Sequence, residues 1–488
     1  MDWYNPLEIS IPQGHFIDGK LMSFHDDTSV DVTCPSNGQT YATLSCASSR
    51  TVESAVTLAH QAHQTSHWAS MAPRERSKIL FHWANLIEQD QLYLAQLESL
   101  GSSRPYHEVL QWDIPYVVDC LKFFAELTDK HGGYIGATRQ ESLGMVISQP
   151  YGVVGAITPW NFPMSMLMWK VGPALAAGNA VVLKPSELTP FTSVHLAKLA
   201  VDAGIPENIL NVVQGDGRSV GQEICKHPRV GKVTFTGSTT TGAQIMATCA
   251  KAGPKPSTLE LGGKSPQIVF EDADIEKTAL MVAKAITGNA GQVCVSGSRL
   301  VIHHSIAEPF AQRVISHFKQ LKMGYTWDQE TTLPAIISAH QAARIASIVQ
   351  QSISEGATLL CGGELVEQGG AFYAPTLLAV EDSQNCAVQQ EIFGPVLTMQ
   401  TFDSDEQAWQ LASHETYGLA AGIHTQDISR ALRGMRKIDA GSIWINRYGR
   451  SFDHIIPTGG FKHSGVGKDI GVEAFQANLR TKSVLIDF

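Results

Sequence analysis

An α/β protein organised around a mostly parallel sheet is what this sequence predicts, on three observations. From about Leu143 onward, short apolar runs alternate with helical text: MVISQPYGVVGAITP, SMLMWKVGPALAAGN, NAVVLKPS and LTPFTSVHLAKLAVDAG follow one another. Runs of near-continuous Val and Ile suit burial on both faces, the condition of strands in a parallel sheet. The alternation continues through ILNVVQG, RSVGQEICKH and KVTFTGS to residue 238, which makes the unit a repeated βαβ and the sheet Rossmann-like. A second alternating block begins near Leu259 and predicts a second α/β domain, in keeping with 488 residues, more than one hydrophobic core covers.

Each element has its own signal. HFIDGK reads as a short strand with a turn at Asp18-Gly19. Between Thr51 and Leu100 apolar residues recur at three and four with a break at Ala72-Pro73, as in surface-packed helices. Pro190 suits the first turn of the helix in LTPFTSVHLAKLAVDAG, where no N–H is needed, and Gly204 suits a left-handed stop at its end. In the second block the strands SPQIVF and SRLVIHH bracket a helix that starts after Asp274, and His303-His304 turns the second strand into a helix through PFAQRVISHFKQL. A long helix, AHQAARIASIVQQSISEG, ends on Gly356. There is no fixed short repeat and no Ser/Gly- or Pro-rich linker, so the domains are expected to pack closely.

Composition narrows the function classes. Apolar residues are 43% and charged residues 17% of the chain, with 42 Gly and 22 Pro, which excludes disordered, collagen-like and coiled-coil proteins. With 36 Lys and Arg against 46 Asp and Glu the net charge is −10, and no block of like charge interrupts it; nucleic acid is not an expected partner. Eight cysteines stand singly with no CxxC pair, which fits a reducing compartment. The opening MDWYNPLEIS has neither a basic nor an apolar leader segment, and no stretch reaches the roughly 18 apolar residues of a membrane span. A cytoplasmic protein with no membrane partner is expected. His60, His63 and His67 lie at i, i+3 and i+7 of helical text, but no Cys or carboxylate stands at ligand spacing beside them, so no metal is expected.

Three stretches can carry chemistry. Cys294 in GNAGQVCVSGSR is surrounded by small residues that let a substrate approach, and Glu260 of LELGGKSP offers a base in an equally Gly-rich setting. A buried, inert thiol remains the other reading of Cys294 on its residues alone. FTGSTTTG, residues 235 to 242, follows a strand and opens a helix, so Gly237, Ser238 and Gly242 form a turn that suits a phosphate. Its spacing is not that of a dinucleotide fingerprint, and a turn without ligand is equally open. KPSE ends a strand, at the edge where open α/β sheets bind ligands, and Lys184 and Glu187 there suit ribose hydroxyls or a solvated charge pair.

Read together, these fragments resemble the NAD(P)-dependent aldehyde dehydrogenase family in order and spacing over nearly the whole chain. The matching stretches are PWNFP, GPALAAGNAVVLKPSE, FTGSTTTG, LELGGKSP, GQVCVSGSR, EIFGPV, YGLAAG, GSIWIN and GGFKHSGVGKD. The resemblance implies the family's fold: a cofactor domain over 1–126 and 149–258, a catalytic domain over 259–460, and a small β oligomerisation element from 127–148 with the tail 461–488. It implies Cys294 as nucleophile, Glu260 as the base that activates water, and Asn161 as an oxyanion donor beside the Cys294 N–H. For the cofactor it implies Trp160, Lys184, Glu187, Gly237, Ser238, Gly242, Leu261, Glu391 and Phe393, and for the substrate tunnel Phe162, Met166, Trp169, Val293, Val295 and Tyr448. The implied reaction is oxidation of an aldehyde to the free acid through a cysteine thiohemiacetal and thioester. The cofactor is NAD, with NADP left open by Lys184, and the assembly is a homodimer or homotetramer.

The chain departs from the family pattern in two places. Ser413, His414 and Glu415 stand where Asn-Asp-Thr is usual, and Gly467, Lys468 and Asp469 where GRE is common, the carboxylate being one methylene shorter. Arg447 and Arg450 flank Tyr448 and could bind a distal carboxylate or face solvent or a subunit, so aryl, medium-chain and semialdehyde substrates all stay open. A CoA-acylating dehydrogenase and a non-catalytic NAD-binding structural protein are the rival readings. An intact ELGG with Glu260 argues against the first, and the presence of Cys294 against the second.

Overall fold

The computed structural model describes residues 4–367 and 369–488; the first three residues of the MDWYN opening, where the range 1–126 begins, lie outside it. The strands Val153–Ile157 and Ala180–Lys184 are buried at every position, as their Val-rich sequences require. They sit at the centre of an eight-stranded sheet. In chain order its parallel strands, Val153–Ile157, Ala180–Lys184, Leu210–Val212, Val230–Thr236 and Ser257–Glu260, lie side by side as 3-2-1-4-5. That is the doubly wound order, in which the chain reverses direction across the sheet between its first and fourth strands. A ligand crevice is expected beyond their carboxyl ends, at Ile157 and Thr236. Short antiparallel strands close both edges: His15–Ile17 with Lys20–Met22 on one side, Gly465–Val466 on the other.

Helices cover both faces of this sheet. Ser48 caps the helix Ser49–Thr65 by accepting from the Thr51 N–H at 3.2 Å, and Pro73 opens the helix Pro73–Gln89, where its missing N–H costs nothing. The region from Thr51 to Leu100 is more deeply set than a surface packing implies. Trp83 is fully buried, and the helix Gln91–Gly101 is buried from Leu97 to its end. The first helix stops at Thr65 and His67 turns away at φ +63°, so His60, His63 and His67 do not share one helical face. Helix Phe191–Asp202 begins just after Pro190 and stops at Gly204, whose φ is +103°. Helix Pro163–Ala176 is buried on every side, because it runs through the interior with no face left for solvent.

The second block forms a seven-stranded sheet in the order Thr358–Cys361, Thr376–Ala379, Val396–Phe402, Arg299–His303, Pro266–Val269, Ala420–His424, Ser442–Ile445, parallel except for its first pair. Apolar cores fill its two faces, one around Val282, Phe310 and Val314, another around Phe270, Trp409 and Ile423. A third, antiparallel sheet pairs the tail strand Leu479–Asp487 with Ser142–Pro150 along its whole length and adds Tyr134–Gly136. Its apolar residues stay exposed: Tyr134 at 67%, Ile135 at 71%, Leu485 at 76% and Phe488 at 80%. The stretch just before the tail strand serves the large sheet instead, with Ile470, Ala474 and Phe475 packed into its core.

Two loops that lead into neighbouring strands of the second sheet, Arg299–His303 and Val396–Phe402, meet at Gly291. Its φ is +73°, and a Cβ placed there would lie 2.2 Å from the carbonyl carbon of Gly394. Gly291→Ala should therefore cost about 1–3 kcal/mol through the left-handed backbone alone, with overlap added. A lowered urea midpoint at fixed protein concentration is the expected result.

Candidate active site

Cys294 follows a turn whose residues Asn289, Ala290 and Gly291 all have left-handed backbone, at φ +50°, +51° and +73°. Two of these are not glycine, so the turn is strained and must be held by its surroundings. A network of amides does so. Asn289 Nδ2 donates to the Asn161 carbonyl at 2.9 Å, Asn161 Nδ2 donates to the Gln292 carbonyl at 2.9 Å, and Gln292 Nε2 donates to the Asn289 carbonyl at 3.0 Å. The Ile337 N–H donates to Gln292 Oε1 at 2.8 Å and ties the turn to the second sheet's side. Asn161 Nδ2 carries a second hydrogen beyond the one given to Gln292. The Cys294 side chain is only partly buried, unlike Cys34, Cys46, Cys120, Cys225, Cys249 and Cys386. Arg450 Nη2 lies 3.9 Å from its sulfur. Burial pushes the thiol up from its ordinary value, and the Arg450 charge opposes that rise.

Glu260 ends the last parallel strand of the large sheet and is 4% exposed, with Oε1 lacking a hydrogen-bond partner. Burial first, and the nearby Asp469 charge second, hold its carboxyl well above the usual carboxylate range. Asp469 is itself buried and paired with Lys170 of the helix Pro163–Ala176. The shortened carboxylate thus reaches a lysine and bears electrostatically on Glu260. At the other departure, His414 Nδ1 accepts from the N–H groups of Thr416 and Tyr417 at 3.1 and 3.2 Å. Its imidazole is pushed down to about 4 by burial, and it holds the turn as an Asx side chain would.

Two cavities meet beside Cys294, sharing Phe162, Met166, Val293 and Arg450, and Cys294 itself lines the second of them. A tunnel of about 720 Å³ runs between the two sheets, and Phe162, Met166, Trp169, Val293, Val295 and Tyr448 all line it. Tyr448 is fixed by donating its hydroxyl to the Val295 carbonyl at 2.8 Å. The tunnel also has a wall that no motif announced: Arg104, Glu108, Trp112, Asp113 and Tyr116 from the N-terminal helices, and Lys277 to Lys284 from the helix Ile275–Thr287. Arg104 Nε meets Asp113 at 2.7 Å and its Nη1 meets Glu108 at 2.8 Å. Single charged residues on helices give no local pattern to find them by.

The second cavity, a cleft of about 340 Å³, is lined by Cys294 with Trp160, Asn161, Gly237, Ser238, Leu261, Glu391 and Phe393, together with Gln341 and Arg344, which sequence reasoning missed. It continues into a groove past Lys184, Glu187 and Gly221 at the carboxyl ends of the reversal strands. This is where doubly wound topology puts a dinucleotide. The residues present fit one. Ser238 caps the helix Thr239–Lys251, whose N-terminus favours phosphate, and the buried Thr236 Oγ1 has no partner. Lys184 Nζ lies 3.1 Å from Glu187 at the groove's far end. Glu391 accepts from the Gly263 N–H at 3.0 Å, and burial pushes its carboxyl up to about 7. A Cβ on Gly262 would sit 2.2 Å from Glu391, so the glycine admits that carboxylate. Gly242 is not among the groove's lining; it is buried against Leu261, whose side chain a Cβ would meet at 2.4 Å. Glu260 lies beneath the cavities rather than on their walls. Among the described residues no cluster of metal-ligating side chains is found, and no helix is long and apolar enough to cross a membrane.

Because its pKa is raised, Cys294 is mostly thiol at neutral pH and gains thiolate as pH rises. The rate of its alkylation by iodoacetamide should therefore climb through a midpoint above that of an ordinary cysteine. In Arg450→Gln, which removes the opposing charge, the midpoint should move higher still.

The sequence pattern of the aldehyde dehydrogenase family matches residues 22–484. The chain is 36% identical over 480 residues to the putative aldehyde dehydrogenase DhaS of Bacillus subtilis (strain 168), covering 97% of this chain and 95% of that one. It is equally identical, over 491 residues, to the cytosolic 10-formyltetrahydrofolate dehydrogenase of Xenopus tropicalis, and there it spans 99% of its own length but only 54% of the relative's. Among solved structures, the indole-3-acetaldehyde dehydrogenase AldA of P. syringae, in complex with NAD+ and IAA, superposes with a TM-score of 0.97 at 38% identity, covering 99% of this chain and 98% of that one. Betaine aldehyde dehydrogenase of Staphylococcus aureus gives 0.95 at 33% identity, covering 98% of each chain. With sequence pattern and fold in agreement from end to end, this chain belongs to the aldehyde dehydrogenase family.

Proposed function

We propose that this chain oxidises an aldehyde to its carboxylic acid with NAD, through a thioester on Cys294. The observation that carries the reading is that Cys294 lines a cleft which continues into a dinucleotide groove and which shares Phe162, Met166, Val293 and Arg450 with an apolar tunnel. The Cys294 thiolate attacks the aldehyde carbon, and the resulting oxyanion accepts hydrogen bonds from Asn161 Nδ2 and the Cys294 N–H. NAD bound in the groove supplies the acceptor for the hydride that the tetrahedral adduct then expels. Glu260, once ionised, takes a proton from water as that water attacks the thioester, and the acid leaves with the thiolate restored.

The rest of the assignment goes with this reading. Residues 1–126 and 149–258 serve the cofactor and 259–460 the chemistry, while 127–148 and 461–488 serve assembly. The exposed apolar side chains of the small sheet support a homo-oligomer, since an uncovered strand with that surface invites pairing with another copy. A cytoplasmic location suits the free thiols at all eight cysteines.

NADH formation from a panel of aldehydes, with and without CoA, tests the reaction. Cys294→Ala should give no NADH even in a single turnover. Glu260→Gln should release about one equivalent of NADH per site in a burst and then turn over about 10²–10⁴-fold more slowly, the usual loss with a general base. Unimpaired steady turnover by Glu260→Gln without CoA would remove Glu260 from the mechanism.

Glu187 also bears on the cofactor. Its carboxylate suits free ribose hydroxyls and repels a 2′-phosphate by on the order of 1 kcal/mol. NAD should therefore have the higher kcat/KM, and Glu187→Gln should narrow the gap to NADP.

A further inference from the structure

The tunnel is more cationic than the chain around it. Its ionisable lining is Arg104, Lys277, Lys284 and Arg450 against Glu108 and Asp113, in a protein whose net charge is −10. Arg104 is neutralised by its two carboxylate partners. The other three cations have no ion-pair partner among the described residues. Lys277 and Lys284 are exposed on the helix Ile275–Thr287, where they face the tunnel's entrance side. Arg450 lies at the inner end.

Arg450 is held in place from several sides. Its guanidinium lies over the Trp169 ring at 4.5 Å from the centroid, and Nη2 is 3.3 Å from Thr458 Oγ1 and 3.9 Å from Cys294 Sγ. Its Nε is buried without a hydrogen-bond partner. Arg447, three residues earlier, is exposed and turned to the Gly449 carbonyl, outside the tunnel. A guanidinium so placed keeps its full charge and needs an anion. Neither group that bears on it is a standing countercharge, because burial keeps Cys294 mostly thiol and holds the Glu260 carboxyl well above the usual carboxylate range, and a Cys294 thiolate that does form loses its charge to the carbonyl oxygen on attack. A purely apolar substrate would then leave the guanidinium uncompensated beside the thioester.

Building on the aldehyde-oxidation reading, we propose that this tunnel takes an aldehyde bearing a carboxylate close to its carbonyl, with Arg450 as the carboxylate's receptor. Reach sets the chain length. Nη2 lies 3.9 Å from the sulfur that bonds the aldehyde carbon, a charge-assisted N–H···O contact spans about 2.7–2.9 Å, and each C–C bond adds about 1.5 Å. The carboxylate carbon is thus about two or three bonds from the aldehyde carbon, which describes a short semialdehyde whose product is a dicarboxylate. The lysines at the entrance would draw such an anion in.

The test compares kcat/KM for succinate semialdehyde with that for its methyl ester and for butanal, using the full chain with saturating NAD. The wild type should prefer the carboxylate by about 10- to 100-fold at low salt, the scale of a charged hydrogen-bonded pair. Added NaCl should shrink that preference while leaving the neutral aldehydes alone. In Arg450→Leu the ratio should fall to near one, and Arg450→Lys should retain part of it. The ratio is the readout because it cancels any effect of Arg450 on the thiol common to all three substrates. A wild-type ratio of one or below overturns the proposal, and so does an Arg450→Leu enzyme that loses activity on every substrate equally with its ratio intact. The wild-type ratio and its salt dependence decide the matter even if the Leu variant does not fold. Absence of NADH from the neutral aldehydes as well as the carboxylate would instead overturn the oxidation reading on which the proposal rests.

Discussion

The amide network around Asn161, Asn289 and Gln292 is the constraint on which the site depends. It holds three successive residues, Asn289 to Gly291, in left-handed backbone shortly before Cys294, a conformation that costs of order 1–3 kcal/mol per non-glycine residue when unsupported. Asn161 follows the first strand of the large sheet, whereas Gln292 leads into a strand of the second, so the same bonds that fix the thiol also join the two halves of the molecule. The position of the sulfur in the cleft, beside the residues that cleft and tunnel share, is a consequence of that join. Neither half alone contains the site.

Around this frame the protein buries an unusual set of charges. Lys170 and Asp469 pair in the interior beside Glu260, Lys264 is pushed down to about 7 by burial, and Glu391 is pushed up to about 7 by the same cause. A buried pair seldom adds net stability over an apolar substitute. Its value here is electrostatic: the Asp469 carboxylate raises Glu260 and the Lys170 ammonium lowers it, so the two together set how readily Glu260 ionises. Charge near a reacting centre is better supplied by fixed groups than by water, because fixed groups do not reorganise during the reaction.

Much of this was legible in the sequence, for physical reasons that differ from place to place. The strands from Val153 to Thr236 were readable because burial on both faces demands continuous apolar text. The motif residues Phe162, Trp169, Val293 and Tyr448 converge on one cavity because each lies within a few residues of a strand or helix end whose place the fold sets. Other features carried no signal. Arg447 and Arg450 are equivalent as text, and only the path of the loop sends one to solvent and the other beneath Trp169. The spacing of His60, His63 and His67 suggested one face, but a helix end is a local backbone event that periodicity does not see. Arg104, Glu108 and Asp113 reach the tunnel only through tertiary packing, so no nearby motif could have marked them.

The pairing of Leu479–Asp487 with Ser142–Pro150 has a consequence for biogenesis. Ser142 and Asp487, bonded side chain to side chain, are 345 residues apart, and the edge strand Gly465–Val466 of the large sheet likewise pairs with a segment made much earlier, Ser257–Glu260. As the chain leaves the ribosome, the strand from Ser142 to Pro150 is completed early yet has no partner on its outer side until Leu479–Asp487 has emerged. An open β edge is where nascent chains associate wrongly, and loop closure over such a separation is slow. Until that distant segment docks, Ser142–Pro150 is open on one side, and once docked Leu479–Asp487 is itself the outer strand of the small sheet, so pairing moves the open edge outward instead of removing it.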